Sequence, residues 1–277
     1  MKRYYAPAFD RGALDAEQSH HCSDVMRQKV GDLLAIFNGE GLEAKARITA
    51  IEKDQVKFEV LAKATTGRAL HPVWLAQALT KKGSMELILQ KATELGVAAI
   101  APLQSDHSVV QVDDEKSDAK LDKWRKLTIE AAKQCGQNWL PKVHAPQKPG
   151  EFMAAVPKGA VKLIASLQPE AKPLKSVLRE TLPALKPGTP IVVMVGPEGD
   201  FTPAEIGAAR TAGFAPVSLG RIILRAETAA FFALSALAYE LMEEGAAVLD
   251  RISLRPALKL VPHLRPLGPE ILVIVRV

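Results

Sequence analysis

The chain has 277 residues, 48% hydrophobic and 24% charged, with a net charge of +5 and a pI near 9.1. That length holds two ordinary domains with real cores and excludes a disordered chain, while no apolar run approaches the roughly 20 residues that span a bilayer. Two cysteines, Cys22 and Cys135, set no disulfide framework, and the start Met1-Lys-Arg-Tyr without a signal peptide predicts a reducing cytoplasm, where the positive charge suits a polyanionic partner such as RNA.

Residues 1–68 carry short segments of strand character, among them Leu33 to Phe37, Lys45 to Ile51 and Gln55 to Val60, with Asn38-Gly39-Glu40-Gly41 as a turn. Short strands at this spacing predict a small β-barrel. His20-His21-Cys22 has no second ligand pair at zinc-site spacing, so no metal is expected. Thr65-Thr-Gly-Arg68 reads as a link, after which strands alternate with helices.

In the second part, Val73 to Leu79 reads as a strand and Ser84 to Leu95 as a helix, with its stripe on Leu87, Ile88, the stem of Lys91 and Leu95, stopped by Gly96. Val97 to Leu103 is the next strand. Ser117 to Gly136 is a long helix with Leu121, Trp124, Leu127, Ala131 and Gln134 on one face, and Lys120, Lys123, Arg125, Lys126 and Lys133 mostly on others. The strand Ala160 to Ser166 and a crossover helix from Pro173 to Leu185 follow.

Ile191 to Val195 is five apolar residues in a row, four of them β-branched, which predicts a central parallel strand covered on both faces. Thr202-Pro203-Ala204-Glu205 is a capping box that starts a helix, Gly213 stops it, and Phe214 to Leu219 resumes a strand. Phe231, Leu234, Ala238 and Leu241 recur at helical spacing in the final helix. From Ala246 to Val277 the chain is rich in Arg, Pro and Leu and receives no functional reading.

Two glycine-bearing loops stand out, Gly196-Pro-Glu-Gly199 and Leu219-Gly-Arg-Ile-Ile-Leu-Arg-Ala-Glu-Thr228, each between an apolar strand and a helix. In open α/β sheets, ligands bind beyond the carboxyl ends of strands, where both loops fall. Either loop alone reads as an ordinary turn. A phosphate loop is excluded because no lysine precedes Thr202, and no G-x-G-x-x-G follows an early strand.

Together, in this order and wording, the loops resemble those of the RsmE-type ribosomal RNA uridine N3-methyltransferases of the SPOUT superfamily. The resemblance runs from about Arg3 to about Glu244 and includes Gln90-Lys-Ala-Thr-Glu-Leu-Gly-Val97, Glu130-Ala-Ala-Lys-Gln134 ahead of Leu140-Pro141, and Val25-Met-Arg27 with Gly31-Asp32. Three positions depart from the pattern: Gln137 and His107 stand where arginines are usual, and Asp200 replaces a glycine.

The resemblance implies an α/β chain in three parts. A PUA-like β-barrel at residues 1–68 would hold RNA, a SPOUT-type trefoil-knotted parallel-sheet domain at 72–245 would act as a homodimer, and a tail at 246–277 is left unassigned. It implies S-adenosyl-L-methionine bound by main-chain groups near Leu167, at Gly196, Pro197, Glu198 and Gly199, and at Leu219, Gly220, Ile223, Leu224 and Thr228. Arg3, Arg27, Lys29 and Lys82 are the implied RNA contacts. The implied reaction methylates N3 of a uridine in 16S ribosomal RNA of the small subunit, the m3U1498 site.

Uracil N3 must lose its proton, by a base or by donors that stabilise the anion on the carbonyl oxygens. Arg225 is the candidate donor, and Glu198 or Glu227 the candidate base or cofactor-orienting group. A plain alternative stands beside each carboxylate: Glu198 satisfies loop amides, and Glu227 sits favourably at a helix N-terminus. Rival functions are a non-catalytic RNA-binding module and a SPOUT enzyme acting on another RNA or on a ribose 2′-hydroxyl.

Overall fold

The computed structural model describes residues 1–53, 55–108 and 114–242, so the tail expected at 246–277 lies outside the described residues.

The first sheet is built from β1 (Lys2–Tyr5), β2 (Leu33–Phe37), β3 (Leu42–Glu52) and β4 (Gln55–Thr65), in that order. β1 runs parallel to β2 and the other pairs are antiparallel. Gly12 and Leu14 extend the ladder past β4: Phe58 N donates to Gly12 O at 2.7 Å and Leu14 N to Val56 O at 2.9 Å. Helix α1 (Ala16–His20), capped by Asp15 accepting from Gln18 N, closes over the inner face. Alternation along the strands turns Tyr4, Leu34, Ile36, Ala44, Ala46, Ile48, Val56 and Phe58 into one core with Phe9, Leu14 and Cys22.

The second sheet has seven strands, all in parallel pairs. In chain order they are β5 (Val73–Ala78), β6 (Ala99–Leu103), β7 (Lys142–Val143), β8 (Val161–Ala165), β9 (Lys172–Pro173), β10 (Ile191–Val195) and β11 (Ala215–Ser218). Their spatial order is β7-β6-β5-β10-β8-β11-β9. β10 is central as its composition predicts: all five residues are buried, between β5 and β8.

Helices cover both faces. On one side lie α2 (Lys82–Glu94), α3 (Asp114–Cys135), α5 (Leu174–Thr181) and α7 (Ala226–Glu240), which pack Met85, Ile88, Trp124, Val177, Ala230 and Leu234 on the sheet. On the other lie α4 (Pro149–Ala155) and α6 (Pro203–Thr211), with Phe152, Met153, Ile206 and Ala209. The box at α6 forms reciprocally, Glu205 N donating to Thr202 Oγ1 at 3.2 Å and Thr202 N to Glu205 Oε2 at 2.9 Å. Gly213 ends that helix at φ +87°, a left-handed angle glycine takes without steric cost.

Three local readings are corrected. The buried stripe of α2 is Met85, Ile88, Leu89 and Ala92, so Leu87 faces solvent. Lys133 is tucked under the first domain, 5.7 Å from the Tyr4 ring and paired with Glu130 at 2.8 Å, rather than on an outer face. The crossover helix stops at Thr181, and Leu182–Ala184, with Pro183, tightens into a 3₁₀ turn.

The two sheets are clamped by the segment 137–140 between α3 and β7. Gly41 N donates to Asn138 O at 3.0 Å and Leu140 N to Gly39 O at 2.9 Å. Trp139 Nε1 donates to the carbonyls of Thr66 and Gly67 at 2.9 and 3.0 Å, and the Arg68 guanidinium sits 4.5 Å over its ring.

Candidate active site

β10, β8 and β11 are adjacent in the sheet, so three βα loops far apart in sequence emerge side by side at their carboxyl ends. They line an open cleft of about 80 Å³. It is lined by Ser166 and Leu167 after β8, Gly196 to Glu198 with Asp200 after β10, Ser218 at the end of β11, and Leu219, Gly220 and Ile222 to Leu224 beyond it, with Ala226 and Ala229 of α7.

Each loop is held by short-range bonds. Ser166 Oγ accepts from Gln168 N at 3.2 Å, and Ser218 Oγ donates to Gly220 O at 3.1 Å. Gln77, fully buried on β5, reaches sideways: its Nε2 donates to Val195 O and Gly196 O, each at 3.4 Å, and to Ala78 O at 3.1 Å. Main chain therefore presents most of the polar surface, and the side chains around it are small or aliphatic.

The loop after β10 is braced from β6. Ser105 and Ser108 hydrogen-bond through their hydroxyls at 2.8 Å, closing a tight turn that projects His107 outward. His107 Nδ1 lies 3.1 Å from Gly199 O and 3.0 Å from Asp200 O. Both partners are acceptors, so Nδ1 carries the proton. Asp200 itself has φ +59° and is one of two non-glycine residues with positive φ among those described, the other being Arg27. Its own carboxylate steadies that conformation by accepting from Phe201 N at 2.8 Å.

Of the residues expected to hold the cofactor, Leu167, Gly196, Pro197, Glu198, Leu219, Gly220, Ile223 and Leu224 line the cleft. Gly199 instead packs on His107, and Thr228 is exposed one turn into α7. Glu198 lines the cleft; Arg225 and Glu227 are not among its lining residues, although their chain neighbours Leu224 and Ala226 are. Arg225 is the N-cap position of α7 without a side-chain cap bond, and its side chain is exposed. Glu227 lies in the first turn of that helix, where the backbone dipole favours a negative charge.

Among the expected RNA contacts, Arg27, Lys29 and Lys82 are exposed. Arg3 is placed otherwise: its side chain is only 10% exposed, pairs with Glu43 at 2.8 Å, and donates to Gln137 O at 2.9 Å and to Asn138 Oδ1. It joins the two domains rather than facing solvent, because β1 runs along the clamp. Residues not singled out from the sequence include Gln77, Ser166 and Ser218. Only register between distant strands brings them here; a polar Gln77 inside an apolar strand is the one available signal.

A family model described as an RNA methyltransferase domain matches residues 68–238, and one described as an RNA methyltransferase PUA domain matches residues 14–61. The chain is 34% identical over 254 residues to ribosomal RNA small subunit methyltransferase E of Bacillus subtilis, covering 87% of this chain and 97% of that protein. It is 34% identical over 224 residues to the protein of the same name from Synechocystis, covering 80% and 71%. The solved ribosomal RNA small subunit methyltransferase E of Neisseria gonorrhoeae, bound to S-adenosyl methionine, superposes with a TM-score of 0.75 at 32% identity, over 86% of this chain and 97% of that one.

Proposed function

The chain belongs to the ribosomal RNA small subunit methyltransferase E family, an S-adenosylmethionine-dependent methyltransferase with a PUA domain ahead of a parallel α/β sheet, and from that premise we propose that it methylates N3 of a uridine in 16S ribosomal RNA, at position 1498.

The carrying observation is the make-up of the cleft. Among its lining residues are two carboxylates, Glu198 and Asp200, and no Lys, Arg or His, in a wall otherwise of main chain and small or aliphatic groups. That donor set fits a ligand with an adenosine body and a positively charged sulfonium and ammonium. When bound there, S-adenosylmethionine supplies a methyl group on a good leaving group.

The chain's own residues supply the rest. Loop main chain at Gly196–Glu198 and Leu219–Leu224 would hold the cofactor, and Gln77 fixes the carbonyls of Val195 and Gly196 beside it. Arg225, exposed at the start of α7 between two lining residues, donates to a uracil carbonyl oxygen and stabilises the anion left when N3 loses its proton. Glu198, inside the cleft, is better placed than Glu227 to take that proton; Glu227 serves the helix N-terminus. Arg27, Lys29 and Lys82 form the phosphate contacts on the exposed surface.

The domain limits we assign are 1–68 for the RNA-holding unit and 72–245 for the methyltransferase unit. β10 enters between β5 and β8, both earlier in the chain, which supports a trefoil-knotted passage. Ile222, Ile223, Phe232, Tyr239 and Met242 are 74, 79, 49, 76 and 69% exposed, and this apolar surface on and beside α7 supports a homodimer that covers the cleft. No helix among the described residues is long and apolar enough to cross a membrane, and we place the enzyme in the cytoplasm with its ribosomal substrate.

Digestion of labelled product to nucleosides tests the reaction. Label in 3-methyluridine is expected; label in a 2′-O-methylated nucleoside would overturn it in favour of ribose chemistry.

A further inference from the structure

Asp200 is a residue whose conformation costs energy and which lines the cleft. A non-glycine residue at φ +59° is sterically disfavoured, and only surrounding contacts keep it so. Here those contacts are specific: His107 Nδ1 holds the carbonyls of Gly199 and Asp200, and Phe201 N holds Asp200 Oδ1. The same carboxylate stands over Gly196, its Oδ1 3.1 Å from where a β-carbon on that glycine would be, and Gly196, Asp200 and Glu198 all line the cleft. Among the described residues, neither carboxylate has an ion-pair partner.

We propose that Asp200, positioned by His107, is a specificity-determining residue that makes the cleft favour the sulfonium cofactor over the neutral thioether product. The inference rests on the cofactor assignment above. The two ligands share adenosine, ammonium and carboxylate, and differ in the methyl group and one positive charge. A fixed negative charge in a partly enclosed cleft therefore separates them, where main-chain contacts cannot. Such a charge holds the cation before transfer and loosens its grip once the charge is gone, which aids release of product.

Asp200→Asn is the matching probe, because asparagine keeps the acceptor for Phe201 N and tolerates left-handed backbone. Calorimetry with S-adenosylmethionine and with S-adenosylhomocysteine reads the effect on the full chain, with the thermal midpoint as a check that the fold is kept. The expected result is about a three- to tenfold weaker Kd for the sulfonium and little change for the thioether. In turnover the same variant raises KM for the cofactor without lowering kcat. Equal weakening of both ligands would assign Asp200 to a part they share and overturn the proposal, as would no change in either. If the unaltered protein bound neither ligand, the cofactor assignment itself would fall.

Discussion

The indole of Trp139 lies so close to Gly41 that a β-carbon built on that glycine would stand 2.4 Å from the ring. Gly41 also has φ +91°, so backbone and space both demand glycine where the two domains meet. Gly41→Ala should cost about 2 kcal/mol or more by overpacking and strain. Chemical denaturation would register it; an unchanged midpoint would mean the clamp yields freely.

Arg3 and Arg27 should separate cleanly. Arg3→Ala strands the Glu43 carboxylate, 8% exposed, and should destabilise by about 3–5 kcal/mol. Arg27→Ala should leave the melting temperature nearly unchanged, yet lower RNA affinity and reduce the salt slope of binding by about 0.7–0.9. Paired melts and salt-titrated binding decide it. A salt slope that falls with Arg3 would restore that residue to the RNA surface.

His107→Ala should weaken cofactor binding several-fold by freeing the loop after β10. His107→Asn should recover most of the loss, since its amide nitrogen occupies the place of Nδ1 as donor. Calorimetry on both variants checks this, and failure of rescue would count against the hydrogen bond as the cause.

Arg225→Ala should lower kcat by about a hundredfold or more with cofactor Kd nearly intact, because its donors act on the charge that develops on uracil. Parallel loss of cofactor affinity would move Arg225 into the binding wall.

Acid should destabilise the protein through His144, whose pKa is pushed down by burial and then by Lys142. His21 is lowered likewise, by burial first and then Lys133. In both cases the unfolded chain binds protons more readily, so the stability they contribute is present above the ordinary histidine pKa near 6.5 and is lost as pH falls through the folded values. The midpoint of unfolding should drop below about pH 6.5, with a shallower slope in His144→Gln.

Much of the fold could be read from local pattern, because β10 is an unbroken β-branched run and α6 carries its whole capping box in four residues. Two of the three cleft loops announce themselves by glycine and by wording that resembles one family. The missing parts are tertiary. Periodicity alone does not show that Lys133 is covered by Tyr4 or that Arg3 turns inward, since both depend on how the domains dock. Nor does sequence distance suggest that His107, 93 residues before Asp200, holds its carbonyl.

The most direct test of the account is reverse transcription across 16S RNA from unmodified small subunits treated with the protein and S-adenosylmethionine. A methyl on N3 blocks the pairing edge of uracil, so arrest should appear at one uridine, depend on the cofactor, and vanish with Arg225→Ala. Readthrough at every uridine, with methyl label nonetheless in the RNA, would contradict the assignment of N3 as the acceptor.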